Sequence, residues 1–372
     1  MLRHLTLRHF KAFATLALPL GPFTLLSGLN SSGKSSVLQA IALLRQSFTS
    51  GVLGSDDTHL GLLLNGEFVE LGRGQDVRHE AWSGAGEIEI GLADDSNVSY
   101  RWSAGYGAED DLLELTHSPA EEVYRRLSPF ADGFQYLRAD RISPAVSYPR
   151  SHDAAVRRRS LGARGEHTVN YLRNHQDDSI AGPRLRHPTT TSTTLLSQAE
   201  AWLGHLCPGA SLSATGIDGT DSVRLSYQFG GGAGLSSSNP YRPTNVGFGL
   251  TYALPIIVAC LTAVPGSLIM LENPEAHLHP RGQSMMTELA CRAVANGAQL
   301  IVETHSDHVL NAVRLAVKRD LLSTGDVRLH YFEQTREGPQ VRTPELKANG
   351  ALTEWPDGFF DEWDRSLDEL LD

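Results

Sequence analysis

Cysteine is scarce in this sequence, and its spacing does not suggest pairing. The chain has three cysteines, Cys207, Cys260 and Cys291, in 372 residues, and none of them belongs to a CxxC motif. An odd number of widely spaced cysteines differs from the even frameworks that staple small secreted domains. The sequence therefore gives no support to a disulfide scaffold, and we expect a cytoplasmic protein.

Long apolar stretches are also rare. The strongest candidate, Val246 to Leu271, has 26 residues without a charged side chain, which is long enough to span a bilayer. However, Pro265 and Gly266 interrupt this stretch, and Pro255 lies inside its first part. We therefore predict a buried helix, a turn and a buried strand at this place, and no membrane span.

The sequence also lacks a surplus of basic charge. It has 32 Lys and Arg residues against 43 Asp and Glu residues, which gives a formal net charge of −11. An acidic chain binds nucleic acid only where a local basic patch meets the phosphates. The best candidates for such a patch are Arg157, Arg158, Arg159 and Arg164. A solvated loop would carry the same charges, so both interpretations stay open.

Apolar heptads are absent, so the sequence predicts no coiled coil. Instead, short apolar strands alternate with amphipathic helical patterns. "FTLLSG" leads into a helical stretch, and after Pro243 the strands "GSLIML" and "QLIVET" alternate with helices. This order predicts an α/β fold with a mostly parallel core sheet. "EIEIGLA" and "VSYRWSA" predict an antiparallel strand pair that belongs to a separate β subdomain.

The same alternation suggests how the chain is divided. We assign residues 1–150 and 241–335 to one α/β head, because both stretches alternate strand and helix. Residues 151–240 are richer in Arg, Gly, Ser and Thr, and we predict an inserted helical lobe there. Residues 336–372 form an acidic, aromatic tail. A helix docked on its own core and a partner-binding segment explain this tail equally well.

A phosphate-binding loop is the clearest motif. "GLNSSGKSS" fits the pattern G-x-x-x-x-G-K-[ST] and lies between a predicted strand and a predicted helix. The glycines let backbone N–H groups converge on phosphate oxygens, the Lys reaches the β and γ phosphates, and the Ser after it can hold Mg²⁺. The candidate nucleotide-binding residues are Gly28, Asn30, Ser31, Ser32, Gly33, Lys34, Ser35 and Ser36.

Two further strand ends carry polar groups that suit such a loop. Glu272 ends the apolar strand "SLIMLE" and can serve Mg²⁺ together with Ser35. His305 follows the strand "QLIVET" and could contact a γ-phosphate or position a water molecule. Asn273 stands where a water-activating carboxylate is usual, and an amide cannot accept a proton at neutral pH.

The motifs "LRHFKAF", "GLNSSGKSS", "ENPEAHLHP", "VETHSDH" and "WPDGFF" occur in this order along the chain. Taken together, they resemble the ABC-type P-loop ATPases of the SMC, RecF and OLD group, and more narrowly a set of short bacterial AAA-family ATPases. The resemblance is weakest between residues 150 and 240. It implies a P-loop NTPase head in which Glu272 is the Walker B carboxylate and His305 is the switch histidine.

The resemblance also implies a composite site. Asn245, Gly247 and Gly249 would form the counterpart of the signature motif, at a helix start that meets the γ-phosphate held by a second copy. Gln75 or Asp76 lies about where a Q-loop would fall. The implied ligands are ATP and Mg²⁺, and the implied partners are a second copy and a separately encoded nuclease or other effector. Phage defence or DNA maintenance would be the setting.

Three functional hypotheses follow. The first is an ATPase with slow turnover, in which either Glu275 acts as the base or Asn273 and His305 position the water. The second is a nucleotide-gated scaffold or sensor without significant turnover. The third is a metal-dependent hydrolase that uses the His-rich segments, whose candidate ligands are Glu275, His277, His279, His305 and His308.

Overall fold

The computed structural model describes residues 1–54, 60–82, 86–96, 98–230, 238–336 and 338–371. Its β-strands are β1 (Leu2–Phe10), β2 (Phe13–Pro19), β3 (Phe23–Gly28), β4 (Gly61–Leu63), β5 (Glu87–Asp94), β6 (Ser99–Gly105), β7 (Leu112–His117), β8 (Phe134–Leu137), β9 (Tyr148–Pro149), β10 (Ala210–Gly216), β11 (Ser222–Phe229), β12 (Leu268–Glu272), β13 (Gln299–Glu303), β14 (Val327–Thr335) and β15 (Gly338–Arg342). Its α-helices are α1 (Lys34–Thr49), α2 (Gly74–Val77), α3 (Glu121–Tyr124), α4 (Thr168–His175), α5 (Leu195–Leu203), α6 (Phe248–Thr262), α7 (Pro280–Ala295), α8 (Asp307–Lys318) and α9 (Glu362–Leu371).

The chain divides into two compact units. Residues 1–131 and 323–372 form the first unit, and residues 132–322 form the second. The division of the chain into a head, an inserted lobe and a tail stays a prediction. Within residues 151–240 the structure contains helices α4 and α5 and also the antiparallel pair β10 and β11, which the sequence analysis did not predict.

The first unit contains an antiparallel sheet in the order β2-β1-β5-β6-β7-β4. Strand β1 shows why these residues form it: Leu5 and Leu7 are buried, whereas Thr6 and Arg8 are exposed. Such alternation places one face of a strand on a core and the other in solvent. The predicted pairing of "EIEIGLA" with "VSYRWSA" is confirmed, because β5 and β6 are antiparallel neighbours.

Strand β3 of the first unit leads into the phosphate loop. It pairs in parallel with β14, and β14 pairs in antiparallel fashion with β15. The side chains of β3 are buried from Phe23 to Ser27, as expected of a strand covered on both faces. Helix α1 then begins at Lys34 and buries Val37, Leu38 and Ile41.

The second unit has a parallel arrangement in which β12 pairs with β13 on one side and with β8 on the other. Helix α6 is buried along most of its length from Leu250 to Leu261. The prediction of a buried helix, a turn and a buried strand at Val246 to Leu271 is therefore confirmed. Among the described residues, no helix is long and apolar enough to cross a membrane, and none forms a coiled coil.

The tail has two parts with different environments. Phe359 is fully buried, and its ring lies 5.4 Å from that of Tyr331 on β14, between centroids. Trp355 and Phe360 pack against the same phenylalanine. In contrast, Leu371 near the end of α9 is 82% exposed. Phe359 thus belongs to the core of the first unit, whereas Trp355 packs on it from the surface and the end of the helix lies in solvent.

Candidate active site

The phosphate loop follows β3 and requires glycine at both of its ends. Gly28 has a φ of 135°, and a Cβ atom there would lie 2.0 Å from the backbone oxygen of Phe332. Gly33 has a φ of 99° at the start of α1, and a Cβ atom would lie 2.5 Å from the Phe13 ring. Side chains are excluded at both positions by backbone conformation and by contact, so the loop lies close against its neighbours.

Lys34 folds back over this loop. It is only 3% exposed, and its Nζ donates hydrogen bonds to the backbone oxygens of Gly28 (3.0 Å) and Leu29 (2.7 Å). Ser32 Oγ also donates to the Leu29 oxygen at 2.7 Å. The first turn of α1 carries no acidic side chain. The positive end of the helix dipole and a desolvated ammonium group therefore combine at one loop, which suits an anionic ligand.

The remaining loop candidates are placed around these groups. Asn30 and Ser31 are exposed, and Ser31 adopts a φ of 62°, while Ser35 is half-buried at the beginning of α1. Gln75, the Q-loop candidate, is exposed on the short helix α2. Its role stays a prediction.

In the second unit, Glu272 ends β12 with both carboxylate oxygens engaged. Its Oε1 accepts a hydrogen bond from the Tyr136 hydroxyl, and its Oε2 accepts one from the backbone N–H of Ala139 at 3.0 Å. Burial, and after it the Glu272 charge, raise the pKa of Tyr136 well above its usual value, so this phenol remains a donor. Strand β8 and the segment that follows it thus fix the orientation of the carboxylate.

Arg141 holds the backbone of the same turn, and the sequence analysis missed it. The side chain is 1% exposed. Its Nη1 donates to the backbone oxygen of Glu272 (2.8 Å), and its Nη2 donates to the backbone oxygen of Asn273 (2.7 Å). Burial lowers the pKa of Arg141 to about 10, and Glu275 is the largest charge that opposes this shift. Arg141 is therefore a buried cation that binds two successive carbonyls at the end of β12.

The turn after β12 brings Glu275 next to the His305 segment. Asn273 adopts a φ of 43°, a conformation that Asn tolerates better than most residues. Glu275 Oε1 accepts a hydrogen bond from the His305 backbone N–H at 2.8 Å. Asn273 Oδ1 and Glu275 Oε2 are buried and have no hydrogen-bond partner among the described residues. The end of β12 therefore presents two acceptors that are ready for a donor.

Helix α6 begins at Phe248, with Gly247 as its N-cap and no side-chain cap. Asn245 and Gly247 are exposed, and a Cβ atom on Gly247 would meet no atom within 4 Å. Gly249 differs, because a Cβ atom there would lie 2.8 Å from the His277 backbone oxygen. The predicted signature segment is thus an open helix start, and its role stays a prediction.

The histidines of the metal hypothesis have other contacts. The ring of His277 packs at 4.6 Å from that of Tyr252, measured between centroids. His279 Nδ1 accepts a hydrogen bond from the Arg281 N–H at the start of α7 (3.3 Å), and His308 Nε2 lies 3.7 Å from Asp307. Within the described ranges, no group of three or more His, Cys, Asp or Glu side chains could hold a metal ion.

The four arginines of the candidate basic patch are all paired with carboxylates. The ion pairs are Arg157–Asp153 (3.8 Å), Arg158–Asp153 (2.8 Å), Arg159–Asp178 (3.6 Å) and Arg164–Asp140 (3.5 Å). Each positive charge therefore has a negative neighbour, which weakens the field that a phosphate backbone would experience.

The motif-bearing region matches a sequence family. The family described as "AAA domain, putative AbiEii toxin, Type IV TA system" matches residues 23–311, which include the phosphate loop, the turn after β12 and His305. The chain belongs to this AAA-domain family. A second family, "Protein of unknown function (DUF3696)", matches residues 322–370, which include β14 and the tail. No curated protein matches the chain.

Solved structures show what fold this AAA-domain chain has. One is an SMC head bound to the C-winged helix domain of ScpA; it has 14% identity and a TM-score of 0.54, with 93% of this chain and 98% of that chain covered. Another is an Smc head domain with an extended coiled coil, bound to the C-terminal domain of ScpA derived from Pyrococcus furiosus. It has 12% identity and a TM-score of 0.54, with 100% of this chain and 99% of that chain covered. The predicted α/β P-loop ATPase fold is thereby confirmed.

Proposed function

We propose that this AAA-domain protein binds Mg·ATP and hydrolyses it slowly. The observation that carries the proposal is the phosphate loop, in which Lys34 and the start of α1 place positive charge around backbone N–H groups. Family membership and the P-loop ATPase fold support ATP as the ligand. Gly28, Asn30, Ser31, Ser32, Gly33, Lys34, Ser35, Ser36 and Gln75 form the proposed nucleotide-binding set.

We propose that Mg²⁺ accompanies the nucleotide. We propose Ser35 and Glu272 as its ligands, since a hydroxyl and a carboxylate are the hard oxygen donors that Mg²⁺ takes, directly or through water. The two hydrogen bonds to Glu272 use two of about four lone-pair sites on its carboxylate, so the others remain for the ion or its water shell. The bound ion would neutralise phosphate charge. His305 is proposed to contact the γ-phosphate.

We further propose that two copies pair around two nucleotides. The support is the start of α6, where Gly247 is exposed and the helix has no side-chain cap, so the positive end of the helix faces solvent. In a pair, Asn245, Gly247 and Gly249 of one copy would face the γ-phosphate bound by the other. The site would then be complete only in the dimer.

The setting is proposed from the comparisons. The matching family is described with a toxin of a type IV toxin–antitoxin system, and the similar SMC heads are bound to ScpA domains. Both support a head that controls a separate effector, such as a nuclease, in phage defence or DNA maintenance. The three free cysteines support a cytoplasmic location. Contact with nucleic acid through Arg157, Arg158, Arg159 and Arg164 stays a prediction, since these side chains are at least partly exposed but each lies near a carboxylate.

A nucleotide-gated switch is the second candidate. The observation in its favour is Asn273, which cannot accept a proton where a carboxylate is usual. Such a protein would bind ATP and pair, but it would not turn over.

Phosphate release distinguishes the two candidates. We expect the wild-type protein to release phosphate from Mg·ATP at a rate well above that of Lys34→Ala, because Ala removes the charge that meets the β and γ phosphates. Glu345→Ala, in an exposed position on the same unit, should retain the wild-type rate. If the wild-type protein binds ATP but releases phosphate no faster than Lys34→Ala, the switch would be favoured.

A further inference from the structure

The turn after β12 holds two buried acceptors whose donors are missing from the described chain. These are Asn273 Oδ1 and Glu275 Oε2, which lie two residues apart in sequence. A buried polar atom without a partner costs about 1–3 kcal/mol, so native proteins keep few of them. A water molecule has two O–H donors and is a group that satisfies such buried acceptors in proteins.

Glu275 is oriented by contacts that leave its second oxygen available. The His305 backbone N–H binds Oε1, so rotation of the carboxylate is restricted while Oε2 keeps all its lone pairs. The backbone of the turn is restrained as well, since the Asn273 N–H donates to the Glu303 oxygen at 2.8 Å. One end of the Asn273–Glu275 turn is therefore tied to the neighbouring strand β13, and the other end to the segment that follows this strand.

Arg141 restrains the same turn from the segment that follows β8, the other neighbour of β12. Its guanidinium group joins the oxygens of Arg138, Glu272 and Asn273 with three hydrogen bonds. Lysine could carry the charge at this position but could not reproduce the planar fork. Arg141 thus holds the positive-φ conformation of Asn273 and adds a buried positive charge near Glu275.

We propose that Glu275 accepts the proton of the attacking water, that Asn273 Oδ1 binds the same water, and that Arg141 positions both. The inference rests on the proposed ATPase function. It assigns a base to the reaction, because Asn273 cannot accept a proton. The water oxygen forms a bond to the γ-phosphorus as the bond from that phosphorus to the β–γ bridging oxygen breaks. The bonding electron pair leaves with ADP, and one water proton passes to Glu275 Oε2.

The test of Glu275 is a single-turnover measurement on the full chain with radiolabelled ATP. We expect Glu275→Gln to bind ATP with wild-type affinity and to cleave it at least about 100-fold more slowly, since a positioned base contributes 10²–10⁴-fold. Glu288→Gln on α7 is the matched control and should cleave at the wild-type rate. Unchanged cleavage by Glu275→Gln would remove Glu275 from the reaction.

Asn273→Gly tests whether the two acceptors share one water. Glycine tolerates the φ of 43° and removes the amide, so the turn should persist without its acceptor. We expect a smaller loss of about tenfold, and little additional loss when this change is combined with Glu275→Gln, because groups that act as a unit are not additive. Fully multiplicative losses would contradict a shared water.

Arg141→Lys tests the positioning role. We expect kcat to fall about tenfold while KM and the dissociation constant for ATP stay within about twofold, because only the placement of the reacting water changes. A merely structural role would instead weaken ATP binding and lower the melting temperature, with kcat unchanged. That second pattern would overturn the assignment of Arg141.

Failure of the inference and failure of the proposed function give different results. If the wild-type protein shows no Lys34-dependent cleavage, the ATPase itself is absent and the inference falls with it. If wild-type cleavage depends on Lys34 but Glu275→Gln cleaves normally, the ATPase stands and only the assignment of the base is wrong.

Discussion

Lys34 and Arg141 are two buried cations that are stabilised in different ways. Lys34 is held by two backbone oxygens of its own loop, at 3.0 and 2.7 Å, so its bonds can be exchanged for phosphate oxygens when a ligand arrives. Arg141 is held by carbonyls of two strand ends, and Glu272 and Glu275 favour its charge. The first cation suits ligand binding, and the second suits a fixed framework.

His330 on β14 predicts how stability depends on pH. Its side chain is fully buried; Nε2 donates to the Pro19 oxygen (2.8 Å), and Nδ1 accepts from the Thr343 hydroxyl (3.0 Å). Burial lowers the pKa of His330 from 6.5 to about 4. Because the native pKa is the lower one, the neutral ring stabilises the fold above pH 6.5, and this contribution of about 3 kcal/mol is lost as the pH falls from 6.5 towards 4.

The check compares urea unfolding of the wild-type protein with that of His330→Gln from pH 7.5 to 4.5. We expect the wild-type unfolding free energy to fall more steeply with acidification than that of the variant, which has no group to titrate there. Identical slopes for the two proteins below pH 6.5 would show that His330 does not titrate as the burial of its ring implies.

At the scale of elements, the start of α6 contains two glycines with different demands. A Cβ atom on Gly249 would lie 2.8 Å from the His277 oxygen, whereas one on Gly247 would meet open space. We therefore expect Gly249→Ala to lower the free energy of unfolding by about 1–3 kcal/mol through overpacking, whereas Gly247→Ala should cost at most about 1 kcal/mol, the difference between Gly and Ala at an N-cap. Thermal unfolding of the two variants measures the difference, and equal melting temperatures would contradict the contact with His277.

Element patterns show what sequence could and could not predict. Strand β3, helix α1 and the pair β5 and β6 follow from apolar periodicity over a few neighbouring residues, which is local information. Arg141 could not be found this way, because its bonds to Glu272 and Asn273 join positions more than a hundred residues apart through the pairing of β8 with β12. An arginine just after a buried strand was the available signal, and it did not identify a partner.

The His-rich segments were ambiguous for a similar reason. A spacing of two residues suits metal ligation on an extended segment, and only the tertiary contacts show that His277 packs on Tyr252 and that His279 caps α7. Strands β10 and β11 were missed for a different reason: Val223, Leu225 and Tyr227 alternate with polar residues as in a strand, but the surrounding Ser- and Gly-rich composition suggested an inserted lobe. The contact of His277 with Tyr252 joins residues that are distant in sequence, whereas the cap made by His279 and the pairing of β10 with β11 are local.

At the scale of the whole molecule, charge limits the partners that the protein attracts. The acidic body, with a net charge of −11, and the pairing of the candidate basic residues give no generic attraction for nucleic acid. The assembly that we propose is instead a pair of copies that share bound nucleotides.

Mixing two inactive variants tests the central claim, an ATPase site shared by two copies. Lys34→Ala removes phosphate binding, and Gly247→Asp places a negative charge at the open start of α6, where it would repel a γ-phosphate. A mixed dimer would contain one site with an intact loop and an intact helix start. We predict that an equimolar mixture recovers about a quarter of the wild-type phosphate release, since half of the dimers would carry one working site of two. A mixture that is no more active than the sum of its two components would contradict the shared site.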